Sequence, residues 1–187
     1  KEMNIQLETP STLIEMARAG GKMAKDAEQT VWEIVSRVEE EGMRNSFVER
    51  DVHEAVRKLR EHKFRLAVLT NNSLQAAEAA LQAHHLRPYF DLVVGREQVS
   101  ALKPSPAGVK YILSMFPDVP ALSWAMVGDS WIDGKAAADG GIQFYAFQSG
   151  QEEFTPRGLK PNAYLRNMAE LLCSIASENS QLQEESR

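Results

Sequence analysis

Cysteine occurs once in 187 residues, which excludes an internal disulfide and leaves a chain that must hold itself together by packing. Cys173 lies beside Leu171, Leu172 and Ile175 in a helix-like stretch, where a buried structural thiol is expected rather than a nucleophile. No run of about 18 apolar residues is present, so a membrane-spanning helix is not expected, and no apolar signal segment opens the chain. Lys and Arg are nowhere concentrated, and the net charge of -5 argues against a nucleic-acid partner. A cytoplasmic setting fits these absences. What is there is a 43% hydrophobic composition, enough for one compact domain with a small helical appendage and an indifferent polar tail.

Residues 12 to about 42 carry Leu13, Ile14, Met16 and Ala17, then Val31, Ile34, Val35 and Val38, at helical spacing. Ser11 is placed to cap the first helix, and Gly20-Gly21 separates it from the second. From residue 51 onward, helices alternate with short apolar runs. Helices are expected over 51–62, 74–84, 107–115 and 134–140, and strands over 64–69, 90–94, 124–127 and 143–147. A closing helix is expected from Met168 to Ile175, and beyond Ser177 the sequence is polar. Strands separated by helices imply right-handed crossovers and a parallel sheet with helices on both faces.

Three strand ends carry polar residues. Leu69-Thr70-Asn71-Asn72-Ser73 opens a strand into a helix N-terminus, where unpaired N–H groups attract anions; helix capping by Thr70 or Asn71 is the plainer alternative. Val127-Gly128-Asp129-Ser130-Trp131-Ile132-Asp133 follows another strand. Gly128 permits a tight turn, and two carboxylates four residues apart form a hard-oxygen set that suits Mg²⁺. The alternatives are an Asx turn at Asp129 and a surface cap at Asp133. Lys103 precedes two prolines, in Lys103-Pro104-Ser105-Pro106, and such a stiffened ammonium could neutralise a transferring phosphoryl group or remain solvated surface.

Taken in order and spacing over residues 49 to 172, these motifs resemble the haloacid-dehalogenase superfamily, specifically its phosphoglycolate-phosphatase-like branch. Lys160-Pro-Asn-Ala-Tyr164 with Met168-Ala-Glu-Leu-Leu172 is similar to the family's last strand and helix. The resemblance implies an α/β fold of Rossmann-like type with a parallel sheet, flanking helices and a small helical cap: cap at 1–48, core at 49–176, tail at 177–187. It implies a Mg²⁺-dependent phosphatase acting on a small phosphorylated metabolite through an aspartyl-phosphate. Thr70 would hydrogen-bond the phosphoryl oxygens, Asn71 would shape their cradle, and Lys103 would balance charge. Asp129 would ligate Mg²⁺, with Asp133 a second ligand or the partner of Lys103.

The family's first motif, an apolar strand ending Asp-x-Asp-x-Thr, has no counterpart. Asp26-Ala-Glu28-Gln-Thr30 imitates its spacing, but Val31, Ile34 and Val35 continue at helical period, so Asp26 belongs on a solvated helix face. The expectation is that the first strand, with the nucleophile, precedes Lys1, and that the chain without it is inactive and poorly stable. A non-catalytic binding or regulatory module on the same fold is the alternative.

Overall fold

The computed structural model describes residues 25–44 and 46–174. The expected helix at Ser11 to Ala17, the Gly20-Gly21 break, Ile175 and the polar tail lie outside the described residues.

Helix α1 (Lys25–Arg44) takes in Asp26 to Thr30, which are therefore helical and do not end a strand. Its packing face differs from the expected one. Val35 is buried, but Ile34 and Val38 are 55% and 65% exposed. The helix instead turns Trp32, Ser36 and Glu39 toward the rest of the protein, because polar bonds described below fix its rotation.

Helix α2 (Val52–Glu61) buries Ala55, Val56 and Leu59, one stripe at spacings of three and four. Strand β1 (Ala67–Leu69) follows, shorter than the apolar run that announced it. The Leu66 amide donates to the Asp91 carboxylate at 2.9 Å, and that carboxylate also binds Arg60 at 2.6 Å and Arg65 at 3.3 Å. Burial would raise the Asp91 carboxyl, but the Leu66 N–H and the two guanidinium groups outweigh it and hold it below the usual carboxylate range. A depressed carboxyl stabilises the fold fully above its unfolded value, near 3.9, and that stability drains as the pH falls through the lower folded value. The melting temperature of Asp91→Asn should therefore lie below the parent's at pH 7 and converge with it in acid. Thermal scans between pH 2.5 and 7 check this; parallel curves would remove Asp91 from the acid response.

Helix α3 (Leu74–Ala83), strand β2 (Leu92–Val94) and helix α4 (Ala107–Met115) come next, then β3 (Ala125–Gly128), α5 (Trp131–Gly140), β4 (Gln143–Phe147), the short helix α6 (Gln151–Phe154) and β5 (Ala163–Leu165). A further helical stretch occupies 168–174. Every strand pairing is parallel, as helical crossovers require. Phe144, Ala146 and Phe154 pack with Ala137 of α5, while Leu59, Tyr145, Leu165 and Leu171 form a second cluster. Cys173 is exposed, contrary to expectation. Leu171 takes the inward position of that helix, and two residues on, at about 100° per residue, the chain has turned to its outer side. No described helix is long and apolar enough to cross a membrane.

The strands do not form one sheet. β1 pairs with β2, and β3, β4 and β5 pair in that order, but β1 and β3 are not paired with each other. Among the described residues each therefore carries its ladder on one edge only. Between them lies a cavity of about 650 Å³ lined by both strands, by Val56 and Leu59 of α2, by Val109 and Ile112 of α4, and by Leu171. Apolar walls above and below, with strand edges on either side, are the surroundings of a strand buried in a parallel sheet.

Candidate active site

The C-terminal ends of β1 and β3 open at one mouth of this cavity, where Lys103, Gly128, Asp129 and Asp133 all contribute to the lining. Open α/β sheets bind ligands outside the carboxyl ends of their strands.

Lys103 arrives on the loop before α4, and its peptide bond to Pro104 is cis. Its ammonium donates to the Leu69 carbonyl at 3.0 Å and to Asp133 Oδ1 at 2.7 Å. One side chain thus joins the end of β1 to the start of α5 across the mouth. Both partners are largely withdrawn from water, with side-chain exposures of 13% and 7%.

Asn71 holds that loop in place. Its Nδ2 donates to the Lys103 carbonyl at 3.0 Å, and its Oδ1 accepts from the Lys103 N–H at 2.9 Å. A side-chain amide matched to a peptide group in both senses fixes the loop in position and direction. Thr70 continues the β1 ladder through its N–H to the Val94 carbonyl (3.0 Å), and its Oγ1 accepts from the Asn72 N–H (3.1 Å), so the hydroxyl proton is left to donate.

Asp133 is the third residue of α5, and besides Lys103 it accepts from the Ser130 N–H through Oδ2 at 3.3 Å. Of the two roles expected for it, this is the geometry of Lys103's partner. Gly128 serves Asp133: a Cβ there would lie 2.6 Å from the Asp133 Cβ and Cγ, so only glycine lets this carboxylate fold back against the strand end. Room for a neighbour, rather than a left-handed turn, is what the glycine supplies. Asp129 is exposed and makes no ion pair among the described residues, and Ser149 Oγ donates to its carbonyl.

Thr70, Asn71, Lys103, Asp129 and Asp133 are thus gathered at the ends of two strands. Among the described residues no group of three or more His, Cys, Asp or Glu is arranged to hold a metal. The donors present are one exposed carboxylate and a second already sharing its charge with a lysine. Such a set fits Mg²⁺, which binds through one or two carboxylates and completes its shell with water and phosphate oxygens, but it does not by itself make a closed cage.

The amides at the start of α3 are taken by protein carboxylates, which the sequence reading did not anticipate. Ser73 N–H donates to Glu39 of α1 and Leu74 N–H to Glu97, each at 3.0 Å, and Ser73 Oγ accepts from Ala76 N–H. The cap expected of Thr70 or Asn71 falls on Ser73 instead, and Glu39 and Glu97 come from elsewhere in the chain.

A family described as haloacid dehalogenase-like hydrolase matches residues 8–147. Phosphoglycolate phosphatase of Rhodobacter capsulatus is 32% identical over 109 residues, 58% of this chain and 48% of that protein. Pyrophosphatase PpaX of Listeria monocytogenes is 26% identical over 132 residues, 68% of this chain and 58% of its own length. This chain therefore spans about half to three-fifths of these relatives. Among solved structures, CbbY from Rhodobacter sphaeroides in complex with phosphate superposes with a TM-score of 0.62 at 25% identity, covering 78% of this chain and 64% of that one.

Proposed function

Because the chain belongs to the haloacid dehalogenase-like hydrolase family, we propose that it forms the core of a Mg²⁺-dependent phosphatase for a small phosphorylated metabolite. The nucleophilic aspartate would ride on a strand seated between β1 and β3. The observation that carries this reading is the cavity between the two unpaired strand edges, whose mouth holds Lys103, Asp129 and Asp133. A parallel strand lying there would end at that mouth and deliver its last side chains to these three residues.

Each residue then has a task. Thr70 donates its hydroxyl proton to a phosphoryl oxygen, and Lys103 places its ammonium between the nucleophile, the phosphoryl group and Asp133. Asn71 acts through Lys103 by fixing its loop. Asp129 and the second face of Asp133 would hold Mg²⁺, and the chemistry that ion supplies when bound is neutralisation of charge on the phosphoryl oxygens. A carboxylate oxygen of the nucleophile bonds to phosphorus as the ester P–O bond breaks, the leaving oxygen taking a proton from the motif's second acid. Water then cleaves the acyl phosphate, giving orthophosphate and returning the carboxylate.

Within this reading residues 1–48 contribute to a small helical cap, 49–176 to the core and 177–187 to a tail, in a cytoplasmic enzyme. Phosphoglycolate and pyrophosphate, the substrates that name two relatives, are the first to try. Calorimetry provides a direct test of the metal assignment: the chain should bind Mg²⁺ weakly, since few charged ligands are in place, and Asp129→Asn should abolish the heat. Equal binding by both proteins would remove Asp129 from the metal site.

A further inference from the structure

Among the described residues, Arg96 and Glu39 form the most enclosed ion pair outside the mouth of the cavity, with both side chains 8% exposed. They join α1 to the loop that follows β2, and the phosphatase reading gives them no role. Arg96 Nη1 donates to both Glu39 oxygens, at 2.5 and 2.6 Å, and its Nη2 donates to Ser36 Oγ at 2.7 Å. Its guanidinium lies over the Trp32 ring at 4.8 Å. The pair is then tied to the corner that follows β1. Glu39 Oε2 accepts the Ser73 N–H, and the Arg96 N–H donates to the Asn72 carbonyl at 3.0 Å. Gly95 brings the two loops together: a Cβ there would lie 2.4 Å from the Leu74 nitrogen, so any side chain would push the Arg96 loop off the start of α3.

We propose that the Glu39–Arg96 pair is a latch by which α1 orders the Thr70–Ser73 corner, making both residues positioning residues for phosphoryl transfer. The inference rests on the phosphatase reading only for the identity of what the corner binds. Asn72 and Ser73 have no regular ladder to hold them. Their backbone partners are Thr70 Oγ1, the Arg96 main-chain N–H, Glu39 and the Ala77 N–H, so two of four restraints come from the latch residues, and the Glu39 carboxylate is the one that ties the corner to α1. Thr70 shares its hydroxyl with the Asn72 amide, and a shift of Asn72 therefore re-aims the donor meant for a phosphoryl oxygen. An arginine that meets carboxylate, hydroxyl and aromatic face together has little freedom to rearrange, which suits it to transmit the position of a helix. The bland alternative is a pair that merely stabilises the docking of α1 on α3.

The test compares Glu39→Gln, Arg96→Met and the control Glu78→Gln, whose carboxylate lies within α3 and pairs with Arg87 instead of with either latch residue. It uses the chain fused to the strand proposed for the space between β1 and β3. Amide exchange across residues 70–74, and kcat and KM for p-nitrophenyl phosphate, are measured well below each melting temperature. The latch predicts that Glu39→Gln and Arg96→Met accelerate exchange over 70–74 and lower kcat by roughly tenfold to a hundredfold, the scale of a small misplacement of a reacting group. KM should move far less, and the control should match the parent in kcat. A lower melting temperature with parental exchange and parental kcat would overturn the proposal and leave a stabilising ion pair. If the parent hydrolyses no phosphate ester, the phosphatase reading falls, and the exchange data still decide whether the pair orders the corner.

Discussion

Fusing an apolar strand that ends Asp-x-Asp-x-Thr ahead of Lys1 should raise the melting temperature by roughly 5–20 °C and switch on Mg²⁺-dependent hydrolysis of p-nitrophenyl phosphate. The stability change follows from the two strand edges that flank the cavity. Each buried N–H or C=O group without a partner costs on the order of 1–3 kcal/mol. Relieving even one group on each edge is worth about 2–6 kcal/mol, and for a protein of this size 1 kcal/mol shifts the midpoint by roughly 2–4 °C. Activity should rise with it, because the same strand would bring the nucleophile to Lys103 and Asp129. Replacing both strand aspartates with asparagine should keep the stability gain and abolish turnover, separating the two effects. The decisive measurement is thermal unfolding and hydrolysis of the fused and unfused chains side by side. If the unfused chain turned over substrate as fast as the fused one, the seated-strand reading would be sunk and Asp26, despite its helical setting in α1, would need to be reconsidered.

Lys103→Met in the strand-bearing protein should lower kcat by roughly a hundredfold or more, the scale of losing one preorganised electrostatic contact. The cost is not confined to turnover. Asp133 is buried, and Lys103 supplies its only ion pair among the described residues, so removing the ammonium strands a carboxylate away from water. Breaking one partner of a buried pair typically costs about 3–5 kcal/mol. Lys103→Met should therefore also unfold at a markedly lower temperature. Adding Asp133→Asn relieves the stranded charge, so the double variant should recover much of the stability while kcat stays low. Near-parental turnover in Lys103→Met would return the residue to a purely structural role.

The sequence was most legible where periodicity and punctuation agreed. The expected bounds of α4 and β4 are the observed ones, because Pro106 sets off the first and Gly141 and Gln148, both at positive φ, enclose the second. Helix α5 begins three residues earlier than expected, at Trp131, since Asp133 reaches back to the Ser130 amide. A cap at Asp133 was among the alternatives to a metal ligand, but on the surface, whereas the residue is buried. The gathering of Thr70, Lys103, Asp129 and Asp133 was legible through motif order, since each closes a strand or precedes a helix. The tie from Asn71 to the Lys103 peptide was not, because a side-chain bond across 32 residues leaves no local trace. The same holds for Glu39 and Arg96, 57 residues apart on a helix and a loop. Cys173 was misplaced because Leu171, its apolar neighbour two residues back, takes the buried side of the helix.

The interrupted sheet also bears on how the protein behaves while the space between β1 and β3 is unfilled. Two parallel edges that face an apolar cavity are docking templates for any extended segment, not for one sequence alone. Nothing in backbone pairing distinguishes the proper strand from one belonging to a neighbouring molecule; only side-chain fit and tethering do. A strand attached to its own chain wins that competition through its high effective concentration. A chain with the space unfilled is instead open to edge-to-edge association as its concentration rises, so the same two edges are also an aggregation hazard.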